Sequence, residues 1–159
     1  MNAAPLGVAL TAHWLRLDAI LRLVRRADAL GYALIVVDGD AALADAKPER
    51  PIHDATALAS AALLATERAK IAAIHLPIFW NPVLLARNLA TLQTLGGGRL
   101  VGFFGVGARR ASARLGLAEP APAESVERLD ALLDAVRPLL AGEVVTRSGR
   151  FHTFERVSV

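Results

Sequence analysis

Few residues in this chain suit chemistry, and most of them stand where an apolar run ends. His13 and Trp14 follow the run Leu6 to Ala12, and Asp38 follows Ala33 to Val37 in the sequence Asp38-Gly39-Asp40. His75 lies late in Lys70 to Leu76, and Gly105, Gly107, Arg109 and Arg110 close the run that begins at Leu100. A histidine titrates near neutral pH, so His13 is a candidate acid or base, although spacing fixes no carboxylate beside it. Asp38 offers a carboxylate at a strand end, or simply forms a turn. His75 is a candidate ligand contact or a satisfied core residue. Gly105 and Gly107 let the backbone approach a ligand closely, and N–H groups at the start of the next helix suit a phosphate, with Arg109 or Arg110 adding charge-assisted hydrogen bonds. The plain alternative is a solvated arginine pair.

Other chemistries find no support. The chain has no cysteine, which excludes disulfides and thiolate metal sites. No Gly-x-Ser-x-Gly elbow is present, and no His, Asp and Glu cluster has metal-ligand spacing. The net charge of +3 comes from arginines scattered without interleaved aromatics, which argues against nucleic-acid binding.

The elements that must position these residues alternate in type. Leu17 to Leu30 carries Ile20, Leu23, Val24, Ala27 and Leu30 at helical spacing and stops at Gly31. Ala41 to Pro51 reads as a loop, after which Asp54 caps a helix over Ala55 to Ala65. Asn81 and Pro82 open a helix whose Leu85, Leu89, Leu92 and Leu95 share a face, with Gly96 as the left-handed residue that ends it. Leu100 to Val106 is a strand apolar on both faces, as one covered by helices would be. Arg109 to Gly116 is a connection, and Glu119 to Ala123 a proline-rich loop. Val126, Leu129, Leu133, Val136 and Leu140 mark the next helix, ended by Gly142, and Glu143 to Phe154 reads as a hairpin around Ser148 and Gly149. The result is a single α/β domain over residues 1–159 with four successive parallel βα units. Eight such units close a TIM barrel, and functional groups then gather at the C-terminal ends of the strands.

The stretch Asn81 to Gly107, NPVLLARNLATLQTLGGGRLVGFFGVG, resembles the signature of the luciferase-like flavin monooxygenases and their deazaflavin-dependent relatives. The matching residues are Pro82, Leu85, Ala86, Arg87, Ala90, Thr91, Leu92, Leu95, Gly97, Gly98, Arg99, Gly105 and Gly107. Gln93 stands where that family usually has Asp, and Gly96 where it has Ser. Ala27 to Gly31, Val37 and Asp38, the segment Asp54 to Ala59, Thr66 and Arg68, and Gly149, Phe151 and Phe154 follow the same family's order. The resemblance covers the N-terminal half of that barrel.

It implies an oxidoreductase using FMN or a deazaflavin on a small organic substrate. The acidic residue at the end of strand two, here Asp38, would contact the ring; His75 lies near a cofactor-facing bulge; Gly105, Gly107 and Arg109 would hold the phosphate side. From its place at the end of the first strand, and not from the resemblance, His13 is the candidate catalytic acid or base. The family often has a His after the acidic residue, where Gly39 stands here. The alternative is a non-catalytic half-barrel that needs a partner chain.

No run of about 18 uncharged apolar residues suggests a membrane span, and no basic region precedes the apolar N-terminal stretch, so the cytoplasm is expected. Four βα units also leave an open sheet, its inward face holding candidates such as Val8, Val36 and Phe104, so association with a second copy or another chain is expected.

Overall fold

The computed structural model describes residues 5–10, 15–38, 53–107 and 111–159. Strands β1 (Gly7–Leu10), β2 (Leu34–Val37), β3 (Lys70–His75) and β4 (Leu100–Phe104) form one parallel sheet in the order β1-β2-β3-β4. Between them run α1 (Leu17–Ala29), α2 (Ala55–Ala65) and α3 (Pro82–Leu95), the last preceded by a 3-10 turn at Pro77–Phe79. The one-turn α4 (Ala111–Arg114) and the long α5 (Pro122–Leu140) follow, and β5 (Val145–Ser148) pairs antiparallel with β6 (Thr153–Val157) in a separate hairpin. This is the expected α/β half of a TIM-barrel type chain. The loop expected over Ala41 to Pro51 lies outside the described residues.

Local caps explain the best-defined helices. Asp54 Oδ1 accepts the Ala57 N–H at 2.7 Å, and Asn81 Oδ1 accepts those of Val83 and Leu84 at 2.9 and 3.2 Å, with Pro82 at the first helical position. The α3 terminus differs from expectation in one respect. Gly96 has φ −88, and the left-handed residues are Gly97 and Gly98, at φ 58 and 84. The Gly98 N–H reaches the Gln93 carbonyl at 2.9 Å and the Gly97 N–H that of Thr94 at 3.1 Å, which closes the helix end. Gly96 is small for another reason: a Cβ there would lie 2.5 Å from Leu63 Cδ2 on α2. Because Leu63 is buried, Gly96→Ala is expected to cost about 1–3 kcal/mol by overpacking. Chemical denaturation checks this; an unchanged midpoint would mean that α2 moves aside freely.

Two further helix faces depart from the sequence pattern. On α1, Leu23 and Leu30 are exposed, and the buried stripe is Ile20, Val24, Ala27 and Asp28. Helix α5 starts at Pro122, inside the expected loop, and buries Leu132, Ala135, Val136 and Leu139, while Val126 and Leu140 are exposed. Of these buried residues, Leu132, Val136 and Leu139 pack with Leu85, Ala86 and Leu89 of α3. On α3, Leu85, Leu89 and Leu92 are buried as expected, and Leu95 is not.

The core lies on the helix side of the sheet in two clusters. One joins α1 and α2 to β2 and β3 through Ile20, Val24, Ile35, Val37, Leu63 and Ile71; the other joins α3 and α5 through Leu85, Leu89, Leu132, Val136 and Leu139. The ladder sets Val8, Ile35, Ile71 and Leu100 in one row, and Ile35 and Ile71 are fully buried against the helices. Val8 is therefore a helix-side residue, and so is Phe104, which pairs with His75 and packs on the second cluster. Of the three residues expected on the inward face, Val36 lies there, in a row with Ala9, Ala72 and Val101. Side chains alternate along a strand, which is why a one-residue difference in parity changes the face.

A polar brace ties the other end of the sheet. The Asp28 carboxylate accepts the N–H groups of Glu67, Arg68 and Ala69 at 3.0, 3.2 and 2.7 Å, and the Arg68 guanidinium donates to the Asp28 carbonyl at 2.9 Å. Arg99 donates to Thr66 Oγ1, the Ala69 carbonyl and the Leu63 carbonyl at 2.8, 3.1 and 2.8 Å. Gln93 Oε1 accepts the Leu100 N–H at 3.0 Å, so this residue anchors the entry into β4. Among the described residues, no helix is long and apolar enough to cross a membrane.

Candidate functional site

The C-terminal ends of β2, β3 and β4 open on one side of the sheet, and the sequence-predicted residues that are described stand there. Asp38 is partly buried, one residue past the Val37–Ala73 pair. Gly105 follows β4 and donates its N–H to the His75 carbonyl at 3.2 Å, so the ends of β3 and β4 stay joined just beyond the ladder. Gly107 takes φ 118, a conformation that L side chains rarely adopt, and a Cβ there would meet nothing within 4 Å. His13, Trp14, Arg109 and Arg110 lie outside the described residues.

Gly107 lines a cleft of about 630 Å³ with Leu76, Ile78, Val106, Ser112 and Glu119, and the cleft continues over Pro120 to Val126. Its walls are largely apolar, with two serines and a glutamate as the polar groups. This volume falls within the usual range for small-molecule sites, roughly 300–1,000 Å³. Helix α5 starts at the cleft, and its N-cap Ala121 has no side-chain acceptor; the first main-chain bond runs from the Ser125 N–H to the Ala121 carbonyl. The positive end of a 19-residue helix therefore borders the cavity. The sequence reading missed Ser112, Glu119 and Ser125, although Pro120 and Pro122 ahead of an amphipathic run are a helix-start signal.

His75 occupies a different environment from the cleft. Its ring is fully buried on the helix side, edge-on to Trp80 with centroids 5.5 Å apart and tilted to Phe104 at 5.9 Å. Neither ring nitrogen finds a hydrogen-bond partner among the described residues. Burial pushes its pKa down to about 4, against a smaller opposing pull from Asp54, so the ring is neutral at pH 7. This is the placement of a core histidine, and its carbonyl, rather than its ring, meets the Gly105 turn. Among the described residues there is no His, Asp and Glu group that could hold a metal ion.

The residues present fit a flat, largely apolar ring system with a polar edge. Gly107 leaves open space that a side chain would restrict, and Leu76, Ile78 and Val106 give apolar walls. Asp38 stands at a neighbouring strand end.

Solved structures share this architecture. A monooxygenase, RslO1 from Streptomyces bottropensis, is 26% identical with a TM-score of 0.79, over 98% of this chain and 48% of its own. The oxygenating constituent of 3,6-diketocamphane monooxygenase from the CAM plasmid of Pseudomonas putida, solved with FMN, is 18% identical with a TM-score of 0.80, over 96% of this chain and 44% of its own. A secondary alcohol dehydrogenase dependent on coenzyme F420, a deazaflavin, is 22% identical with a TM-score of 0.81, over 97% and 47%. The chain thus spans about half the length of these structures. No curated protein sequence matches it. The model of the luciferase-like monooxygenase family matches residues 3–159, and with the signature residues from Pro82 to Gly107 in their helix-to-strand setting, the chain belongs to that family.

Proposed function

We propose that this chain forms the cofactor-bearing half of a flavin- or deazaflavin-dependent oxidoreductase of the monooxygenase type. The observation that carries the reading is the cleft at the C-terminal ends of the strands, where Gly107 keeps a positive φ beside apolar walls and the α5 N-terminus. Asp38, Gly105, Gly107 and Arg109 would hold the cofactor, His75 would support the floor through its carbonyl, and His13 would serve as acid or base. The cofactor, FMN or a deazaflavin, supplies the electron chemistry when bound; the chain orients it and excludes water. Relatives solved with FMN and with coenzyme F420 support both options.

Titration with FMN and with a deazaflavin, followed by absorbance and fluorescence, tests the reading. Asp38→Ala and Arg109→Ala are each expected to weaken binding by about 1–3 kcal/mol, the range for hydrogen bonds to charged groups. Unchanged titration curves for both variants would refute the site. The second reading, a non-catalytic half-barrel, rests on the coverage of less than half of each solved relative quoted above. It predicts no cofactor binding by the chain alone, and the same titration separates the two. A small organic substrate and a cytoplasmic setting complete the proposal.

A further inference from the structure

We infer that the hairpin of β5 and β6 is a clasp that fixes the α5 wall of the cleft, with Arg150 and Phe151 at its tip as positioning residues that act through Glu124, Glu127 and Arg128. Its bearing on a cofactor rests on the function proposed above; the clasp itself does not.

The wall needs support that the core does not give it. Pro122, Ser125 and Val126 line the cleft, yet no residue of α5 before Leu132 is buried. Leu132 lies about 15 Å along the helix from Pro122, at a rise of roughly 1.5 Å per residue. There Leu132, Val136 and Leu139 anchor the far end of α5 in the second core cluster. On its inner side α5 meets the turn Pro77–Phe79, whose Ile78 lines the same cleft. What keeps the first turns of α5 from lifting off that side must act from the other face of the helix.

The hairpin tip supplies this. Residues three and four apart share a helix face, so Glu124, Glu127 and Arg128 stand together, opposite the face of Pro122, Ser125 and Val126. The Gly149 N–H bonds the His152 carbonyl at 3.1 Å, which puts Arg150 and Phe151 at the centre of the turn. Arg150 pairs with Glu127 at 2.6 Å and with Glu124 at 3.5 Å, and Arg128 pairs with Glu124 at 2.7 Å. The Phe151 ring takes both guanidinium groups, Arg128 at 4.5 Å and Arg150 at 4.9 Å from its centroid. Two cations over one ring repel each other, and the carboxylates of Glu124 and Glu127 offset that repulsion, so the group works as a unit. Further along the helix, Arg147 of β5 pairs with Asp134 at 3.3 Å, and Val145 and Val157 pack on the second core cluster. The base of the hairpin is thus tied to the core, and its tip carries the clasp.

Hydrogen exchange on the whole chain tests this. In Arg150→Ala and Phe151→Leu the amides from Ser125 to Arg128 are expected to exchange about tenfold faster, while that of Leu139 keeps the parent rate. Arg150→Lys, which keeps the charge and loses the fork, should fall between Arg150→Ala and the parent. Raising NaCl from about 0.05 to 0.5 M should speed the same amides in the parent and leave those of Arg150→Ala unchanged, because salt screens exposed ion pairs. The salt series on the parent decides the matter where a variant does not fold. With FMN as the probe, Arg150→Ala should bind several-fold more weakly than the parent, although Arg150 does not line the cleft. Parent exchange rates at Ser125 to Arg128 in both variants, faster exchange spread evenly along α5, or a parent indifferent to salt would overturn the clasp. Faster exchange with unchanged FMN affinity would overturn its bearing on the cleft. A parent that binds no FMN counts against the function proposed above, and the exchange rates then decide the clasp alone.

Discussion

Replacing Asp28 with Ala is expected to destabilise the fold by about 3–5 kcal/mol. The carboxylate is 8% exposed and accepts three consecutive backbone N–H groups, from Glu67, Arg68 and Ala69. Removing it strands those donors where α1 meets the entry to β3. Each unsatisfied buried donor costs about 1–3 kcal/mol, and water would recover part of this at the exposed Glu67 and Arg68. Burial alone would raise the pKa of Asp28, but the backbone donors outweigh it and hold the group below the ordinary carboxylate value. The sign follows: a depressed folded-state pKa gives stability that is present above the unfolded value of 3.8 and lost as pH falls through the folded value. Asp28→Asn keeps one acceptor oxygen and should cost less than Asp28→Ala. Urea denaturation at pH 7 checks the magnitude. A loss under 1 kcal/mol for Asp28→Ala would show that the loop from Thr66 to Ala69 rearranges to find other acceptors.

The same residue shows how much of the fold could be read from the chain. Helices α2 and α3 were legible because their signals are local: Asp54, Asn81 and Pro82 act within one turn, and the glycines after Leu95 end α3 within three residues. Asp28 and Arg99 act on partners some 30 to 40 residues away, so nothing in their own neighbourhood betrays them. Strand faces were hard for another reason. Both faces of β1 and β4 are apolar, so alternation gives no parity, and Val8 and Phe104 stand on the helix side of the ladder, not on the inward face. On α5, apolar residues surround much of the helix, and contact with α3 selects the stripe of Leu132, Val136 and Leu139. The candidate site was legible where it coincides with strand ends, at Asp38, Gly105 and Gly107. Ser112, Glu119 and Ser125 reach the cleft only because the chain returns to it through α5.

Acid should weaken the fold through His75, by about 3 kcal/mol between pH 6.5 and 4. The ring is fully buried between Trp80 and Phe104, and no described residue offers its nitrogens a hydrogen bond. Burial therefore disfavours the imidazolium and brings the folded-state pKa to about 4, against 6.5 in the unfolded chain. Above pH 6.5 both states leave the ring neutral, and it adds no pH dependence. Below that value the unfolded chain takes up a proton that the folded one refuses, so stability falls by up to about 1.4 kcal/mol per pH unit. The loss stops growing near pH 4, where the folded state also protonates, and there the Asp28 contribution begins to fail. His75→Leu removes the titrating ring and keeps an apolar side chain in the second core cluster. Its unfolding free energy should stay flatter than that of the parent from pH 6.5 to 4, so that the difference between the two changes by about 3 kcal/mol in favour of the variant. Parallel curves would mean that His75 is charged or hydrogen-bonded in the folded protein, and that its ring reaches toward the cleft after all.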